Sequence, residues 1–173
     1  MGVLSSPLPG RLSADVDFLD NSLEFSRKIT VKAEELRDMM CEHHELCNEE
    51  ELGLIRKQLG LFVSHLDKCE VVSFNLEGCF SQIVSGLRDF HSLVRSLPVH
   101  LPQDLLTRLG IDIRDLLSNF REEMDTQGIM DVNFPSHGVP SYPSTFHEQA
   151  GTLLILSNLQ KFMLSVQKAL GAQ

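Results

Sequence analysis

Four cysteines and two histidines are the groups whose types and spacing could support chemistry in this sequence. The cysteines are Cys41, Cys47, Cys69 and Cys79. Four cysteines allow three pairings, of which the pairing of sequence neighbours closes the two shortest loops. His43 and His44 could join cysteines around zinc, but zinc sites usually separate their cysteines by two to four residues, and here the gaps are five and nine. We therefore favour disulfides over buried thiols or a metal, and disulfides indicate an oxidising, extracellular compartment.

A second candidate is the carboxylate pair Asp112 and Asp115, which lies on the helix face opposite an apolar stripe. General acid–base chemistry would need a pocket that shifts one pKa. A solvated helix surface and a charged docking patch for a protein remain as alternatives. The sequence contains no nucleophile elbow, phosphate-binding loop, dinucleotide fingerprint or zinc-protease helix motif. We therefore predict that the chain is not an enzyme and uses no cofactor or metal.

The charge balance restricts the possible partners. The 173 residues carry 15 Lys and Arg against 24 Asp and Glu, a net charge of −9. That excess argues against nucleic-acid binding, which needs a basic face to displace counterions, and against an electrostatic membrane anchor. No apolar run reaches the roughly 18 residues that span a bilayer, so we expect no membrane insertion. The length favours a single domain.

The elements that must position these groups are four amphipathic helices, predicted at about 14–41, 71–97, 103–127 and 144–170 after a disordered start at 1–12. Ser13 is the predicted N-cap of the first helix. Its apolar stripe follows steps of three and four and comprises Phe18, Ser22, Phe25, Ile29, Ala33, Leu36 and Met40. This continuity favours a core position for Phe25 over an interface. The second stripe starts at Val72, Gly128 ends the third helix, and the fourth helix is predicted to be the most buried.

The connections between these helices predict the topology. Long segments, about 42–70 and 128–143, flank a short connection at Pro98 to Pro102. A long crossover lets the next helix start in the same direction, so this pattern predicts an all-α, long-chain four-helix bundle with up-up-down-down topology. Residues 49–59 within the first crossover are predicted to form a short helix, with Asn48 as its cap and Glu51 at the third position.

Several blocks of the sequence resemble the granulocyte colony-stimulating factor family, a group of long-chain helical cytokines that includes the avian myelomonocytic growth factor. The blocks are CEHHELCNEEEL at 41–52, LEGCFSQIVSGL at 76–87, LEFSRKI at 23–29, LGIDIRD at 109–115 and FHEQAG at 146–151. The five- and nine-residue gaps match the two local disulfides of that family. The chain is interpreted as a divergent member.

The resemblance implies a secreted growth factor that binds a class I cytokine receptor on granulocyte precursors. It implies a monomer when free and an assembly of two hormones with two receptors through two surfaces. The major surface, carried over by position, comprises Asn21, Glu24, Phe25, Arg27, Lys28, Asp112 and Asp115. The minor surface comprises His44, Glu51, Leu54, Phe146 and Gln149. Asn21, Phe25, His44 and Gln149 depart from the residue types of the family, as does Lys32, which stands where the family often has an acid.

Three alternatives remain open at this stage. The first is a cytokine of the interleukin-six branch that acts on a different receptor. The second is a non-signalling cytosolic adaptor with free thiols. The third is a carrier of a lipid or small ligand, which the continuous Leu and Phe stripes disfavour because they indicate a filled core.

Overall fold

The computed structural model describes residues 16–61, 65–97 and 101–171. Within these ranges the chain forms the helices α1 (Val16–His44), α2 (Gly53–Gln58), α3 (Leu76–Arg95), α4 (Gln103–Gln127) and α5 (Thr145–Ala169). Two short 3-10 helices, Glu49–Leu52 and Asp67–Cys69, lie in the first crossover, and no strand occurs in the described ranges. The predictions of a disordered start and of Ser13 as an N-cap fall outside the described residues.

Helices α1 and α4 pack against each other in opposite directions. The rings of Phe18 and Phe120 lie 5.0 Å apart between centroids, whereas Lys32 contacts Asp112 at 2.7 Å. A higher number on α1 thus pairs with a lower number on α4, which identifies the two helices as antiparallel.

Helix α5 is also antiparallel to α1. The Thr30 hydroxyl accepts a hydrogen bond from the Gln167 amide at 3.3 Å. Further along α1, Glu49 bridges Arg37 and the earlier α5 residue Ser157, at 2.8 Å to each. Phe80, near the start of α3, lies 5.3 Å from Phe120, near the end of α4, whereas the end of α3 and the start of α4 line one groove, so these two helices are antiparallel. Helices α1 and α3 therefore point one way and α4 and α5 the other, which confirms the up-up-down-down bundle.

Aromatic rings fill the centre of the bundle. Phe18, Phe80 and Phe120, from three helices, form a cluster with centroids 5.0–5.8 Å apart. A second pair, Phe90 and Phe162, joins α3 to α5 at 5.3 Å. Helix α5 is buried without interruption from residue 150 to 159. It has 14 buried residues among 25, whereas α3 has 13 among 20, so the prediction that α5 is the most buried helix is wrong by fraction.

The start of α3 differs from the sequence prediction. The helix begins at Leu76, because the Asn75 side chain caps it by accepting a hydrogen bond from the Gly78 backbone at 2.6 Å. Val72, placed on the predicted stripe, lies before the helix and is 98% exposed. The Cys69–Cys79 disulfide fixes this stretch, so helical spacing alone placed the start too early.

Two details of the first crossover and of α1 also differ. Residues 49–58 form a 3-10 turn followed by the short α2, but the Asn48 side chain makes no capping hydrogen bond. On α1 the stripe takes in Ser26, which is fully buried, while Phe25 is half-buried at the edge of the core. Phe25 therefore packs on the core and also reaches the surface, between the two positions that the sequence left open. The predicted end of α4 is confirmed, since Gly128 adopts the left-handed conformation with φ 68°.

Candidate binding surfaces

Residues of the first predicted surface lie on α1 and α4, and we call this set the α1–α4 surface: Asn21, Glu24, Phe25, Arg27, Lys28, Asp112 and Asp115. At 100° per residue, positions 21, 24, 25 and 28 fall within about 100° on the helix. Arg27 lies about 60° further round, on the other side of Glu24. Asn21, Glu24, Arg27 and Lys28 are exposed.

Two charged residues of this surface, Glu24 and Lys28, form an ion pair. Lys28 Nζ lies 3.4 Å from the Glu24 carboxylate and 5.8 Å from the centre of the Phe25 ring. Both charged side chains remain about half exposed or more, at 49% and 63%. Such exposed pairs contribute little to stability, so Glu24 and Lys28 are free to exchange partners at an interface.

Asp112 is in a different state from Glu24. Its carboxylate receives a 2.7 Å hydrogen bond and ion pair from Lys32, and the side chains are only 13% and 19% exposed. The pair crosses the α1–α4 seam and neutralises Asp112 within the chain. Sequence reasoning did not identify Lys32 as a site residue, although its spacing of four from Lys28 puts it on the same face of α1.

Phe25 and Asp115 both line a shallow groove of about 300 Å³. Its other lining residues are Ser118, Asn119 and Glu122 of α4. The Asn119 amide donates to the Phe18 carbonyl at 3.3 Å and to the Ser22 hydroxyl at 2.9 Å. These bonds hold α4 against α1 directly beside Phe25. Glu122, two turns after Asp115, is a second residue that sequence reasoning missed.

Residues of the second predicted surface gather around α2 and the start of α5, and we call this set the α2–α5 surface: His44, Glu51, Leu54, Phe146 and Gln149. Leu54 and Phe146 are 65% and 47% exposed, so both large apolar side chains are accessible to a partner. His147 Nε2 lies 2.8 Å from the Gln58 side-chain oxygen, which ties the start of α5 to α2. Glu51 is exposed.

His44 and Gln149 are half-buried and line a separate groove of about 760 Å³ at the end of α1. Met39, Leu101 and Pro102 form part of its apolar wall. The structure thus divides the predicted set into three exposed residues, Glu51, Leu54 and Phe146, and two residues that line this groove, His44 and Gln149.

The first crossover is fastened to the bundle by disulfides and buried polar contacts. Cys41 pairs with Cys47 and Cys69 with Cys79, each with a Cα–Cα distance of 4.6 Å, as the family resemblance implied. Arg56 of α2 donates to the buried Asn158 side chain at 2.6 Å. These contacts give α2 a fixed place on the bundle despite its six residues.

Arg37 anchors the 3-10 turn that precedes α2. Burial opposes its charge, but the hydrogen bond and attraction from Glu49, together with attraction from Asp38, outweigh burial and raise the Arg37 pKa. Glu49 also accepts from the buried Ser157 hydroxyl at 2.8 Å. One carboxylate thus connects α1, the turn and α5.

The described residues contain no group of three or more His, Cys, Asp or Glu side chains placed to hold a metal ion. None of the helices in the described ranges is long and apolar enough to cross a membrane.

Comparisons with known proteins give a consistent family. The sequence model of granulocyte colony-stimulating factor matches residues 26–171. Myelomonocytic growth factor of Gallus gallus is 35% identical over 92% of this chain and 83% of the relative. The granulocyte colony-stimulating factors of Sus scrofa and Homo sapiens are 33% and 31% identical over 92% of this chain, and over 83% and 80% of their own lengths.

Proposed function

Because the chain belongs to the granulocyte colony-stimulating factor family, we propose that it is a secreted growth factor that drives granulocyte and myeloid proliferation by clustering a class I cytokine receptor. The family match over residues 26–171 carries this proposal. Growth factors act by recognition, and the protein performs no catalysis in this account. The chain is a monomer until it meets the receptor.

The mechanism uses the two surfaces as separate binding sites on one rigid body. Phe25 and His44 are 19 positions apart on α1, or about 28 Å along the helix. Each surface engages a different receptor chain, with Glu24 and Asp115 at the α1–α4 surface and Leu54 and Phe146 at the α2–α5 surface. Once one surface is bound, the second interaction gains from effective concentration. The product is an assembly of two hormones and two receptors.

The two surfaces contribute different kinds of binding energy. Exposed charges at the α1–α4 surface steer the encounter and give specificity. Exposed apolar side chains at the α2–α5 surface gain from burial, at about 25 cal/mol per Å² removed from water. Asp112 acts mainly through Lys32, since the ion pair already occupies its carboxylate.

A cell assay tests the function directly. The oxidised chain is added to factor-dependent cells that express the chicken granulocyte colony-stimulating factor receptor, with the parent line as control. We expect proliferation of the receptor-bearing cells alone. Proliferation of cells that carry only an interleukin-six-type receptor would instead assign the chain to that branch. No response from receptor-bearing cells would contradict the proposal.

A further inference from the structure

A groove of about 530 Å³ runs along the seam between α3 and α4, outside both surfaces described above. Its polar walls carry the cationic side chains Arg95 and Arg114 together with His91. Val94 and Ile111 supply apolar wall, and Ile111 is 40% exposed. A basic groove is unexpected on a chain with net charge −9, and its positive charge suggests an anionic ligand.

The positive charge of the groove is poorly compensated. No described residue forms an ion pair or hydrogen bond with the Arg95 side chain. Arg114 reaches Asp115 at 3.4 Å, in a contact whose side chains are 61% and 38% exposed. Burial lowers the pKa of His91, and repulsion from Arg95 and Arg114 lowers it further. Both guanidinium groups are therefore close enough to His91 to repel its protonated form.

Distant carboxylates do not cancel this local charge in solution. At physiological ionic strength, exposed charges more than about 8 Å apart are largely screened. An anion that enters the groove therefore meets mainly its lining residues. Guanidinium groups bind the oxygens of sulfate and phosphate through paired hydrogen bonds and are more weakly hydrated than ammonium groups.

We propose that this groove binds a sulfated polysaccharide chain. Sulfate groups would contact Arg95 and Arg114, and the sugar rings would pack on Val94 and Ile111. The open seam between two helices suits a linear chain, and sulfated polysaccharides are polyanions of the extracellular space. The choice of this polyanion rests on the proposed secretion of the protein.

The groove lies on the side of α4 away from Asp112, and the Arg114–Asp115 contact links it to the edge of the α1–α4 surface. On α4, Arg114 and Asp112 point about 160° apart around the helix axis. Asp112 faces Lys32 of α1, whereas Arg114 faces the groove shared with α3. Polysaccharide and receptor can therefore be bound at the same time, which would hold the growth factor near cell surfaces or matrix without blocking its signal.

Calorimetric titration with a heparin hexasaccharide in 50 mM salt tests the proposal. We expect saturable binding that weakens at least tenfold in the Arg95→Ala/Arg114→Ala variant and at least tenfold at 200 mM salt. Arg108→Ala is the matched control for Arg114→Ala alone, because each removes one positive charge from α4 and only Arg114 lines the groove. Gly110→Glu is a second test, which keeps both arginines and adds a carboxylate to the groove lining. The substitution fits sterically, since a Cβ at this position meets nothing within 4 Å.

Several results would overturn the proposal. These are absence of saturable heat at millimolar hexasaccharide, equal binding of a desulfated hexasaccharide, or equal weakening in Arg108→Ala. Tighter binding of a polyglutamate decamer would assign the groove to an acidic protein segment instead. Titration of Arg95→Ala, which leaves the Arg114–Asp115 contact intact, with receptor ectodomain separates this inference from the proposed function, because we expect that complex to be unchanged.

Discussion

Individual charged residues on the α1–α4 surface differ in how available they are to a partner. Glu24 is 63% exposed and its contact with Lys28 is one helical turn away on the same helix. Asp112 is 13% exposed and is held by Lys32 from another helix. Breaking an exposed pair costs little, whereas removing one partner of a covered pair leaves an uncompensated charge. Glu24 is therefore the acid of this surface that a receptor can engage at least cost.

Replacing Glu24 by Arg should weaken receptor binding at least tenfold. The substitution reverses an exposed charge and loses a helical ion pair worth about 0.3–0.5 kcal/mol, so the fold should remain intact. Surface plasmon resonance against the receptor ectodomain measures the change. Glu70→Arg makes the same change in charge at an exposed crossover position and should keep its affinity within about twofold. Unchanged affinity of a folded Glu24→Arg variant would remove Glu24 from the site.

Replacing Tyr142 by Phe should raise the free energy of unfolding by about 1 kcal/mol. The Tyr142 hydroxyl is buried and meets no hydrogen-bond partner among the described residues, a condition that costs about 1–3 kcal/mol. Burial, followed by the charge of Glu148, also raises its pKa. Urea unfolding measures the effect.

The matched control is Thr152→Val, which removes a buried hydroxyl that does have a partner. Thr152 donates to the Glu148 carbonyl at 2.7 Å, so its loss should destabilise the chain by about 1 kcal/mol. A loss of stability in Tyr142→Phe as large as that of Thr152→Val would indicate a partner for the Tyr142 hydroxyl.

His91 should make the protein less stable on acidification. Burial and the two neighbouring arginines lower its pKa in the folded state below the ordinary 6.5, so the unfolded chain binds a proton first as pH falls. The contribution of neutral His91 is present above 6.5 and is lost as pH falls through the lowered folded value. The stability difference between the protein and His91→Asn, followed by urea unfolding between pH 7.5 and 5, should shrink or reverse. A difference independent of pH would contradict the assignment.

Helices were predictable from the sequence where neighbouring residues alone determine them. Steps of three and four located all four long helices, and Gly128 marked the end of α4. The start of α3 was not predictable, since Asn75 and the Cys69–Cys79 bridge replace the first turn that the apolar pattern suggests. The full burial of Ser26 and the half-burial of Phe25 were not predictable for a related reason. Hydrophobicity alone does not show which side of the stripe faces the neighbouring helix.

Contacts between elements set limits on substitution that the sequence does not reveal. Gly86 of α3 lies against the ring of Phe162 on α5, and a Cβ there would lie 2.6 Å from Phe162 Cε1. The two residues are 76 positions apart, so their contact becomes visible only when the helices are packed. The Lys32–Asp112 pair, 80 positions apart, could not be predicted from the sequence for the same reason.

Gly86→Ala should lower the free energy of unfolding by about 1–3 kcal/mol, since the added methyl group overpacks a fully buried ring. Gly110→Ala is the matched control within α4, where a Cβ meets nothing within 4 Å. That substitution should stabilise the protein by about 0.5–1 kcal/mol, because alanine loses less backbone entropy in a helix. Both values follow from urea unfolding. Stabilisation by Gly86→Ala would contradict the close packing of α3 on α5.

In the proposed mechanism the whole molecule is a rigid carrier of two separated surfaces. Two long crossovers turn four helices into an up-up-down-down bundle, and disulfides with the Arg37–Glu49–Ser157 contacts fix the first crossover against it. This arrangement places the α1–α4 surface and the α2–α5 surface toward different ends of α1. The architecture followed from loop lengths, while the residues of each surface came from the family resemblance and stay a prediction.

Light scattering of the protein titrated with chicken granulocyte colony-stimulating factor receptor ectodomain tests the two-surface mechanism most directly. The Leu54→Arg/Phe146→Asp variant, altered at two exposed positions of the α2–α5 surface, is measured beside the unaltered chain. We expect the unaltered chain to reach the mass of two hormones and two receptors, and the variant to stop at one of each. A variant that still forms the larger assembly, or an unaltered chain that never exceeds one of each, would contradict the account.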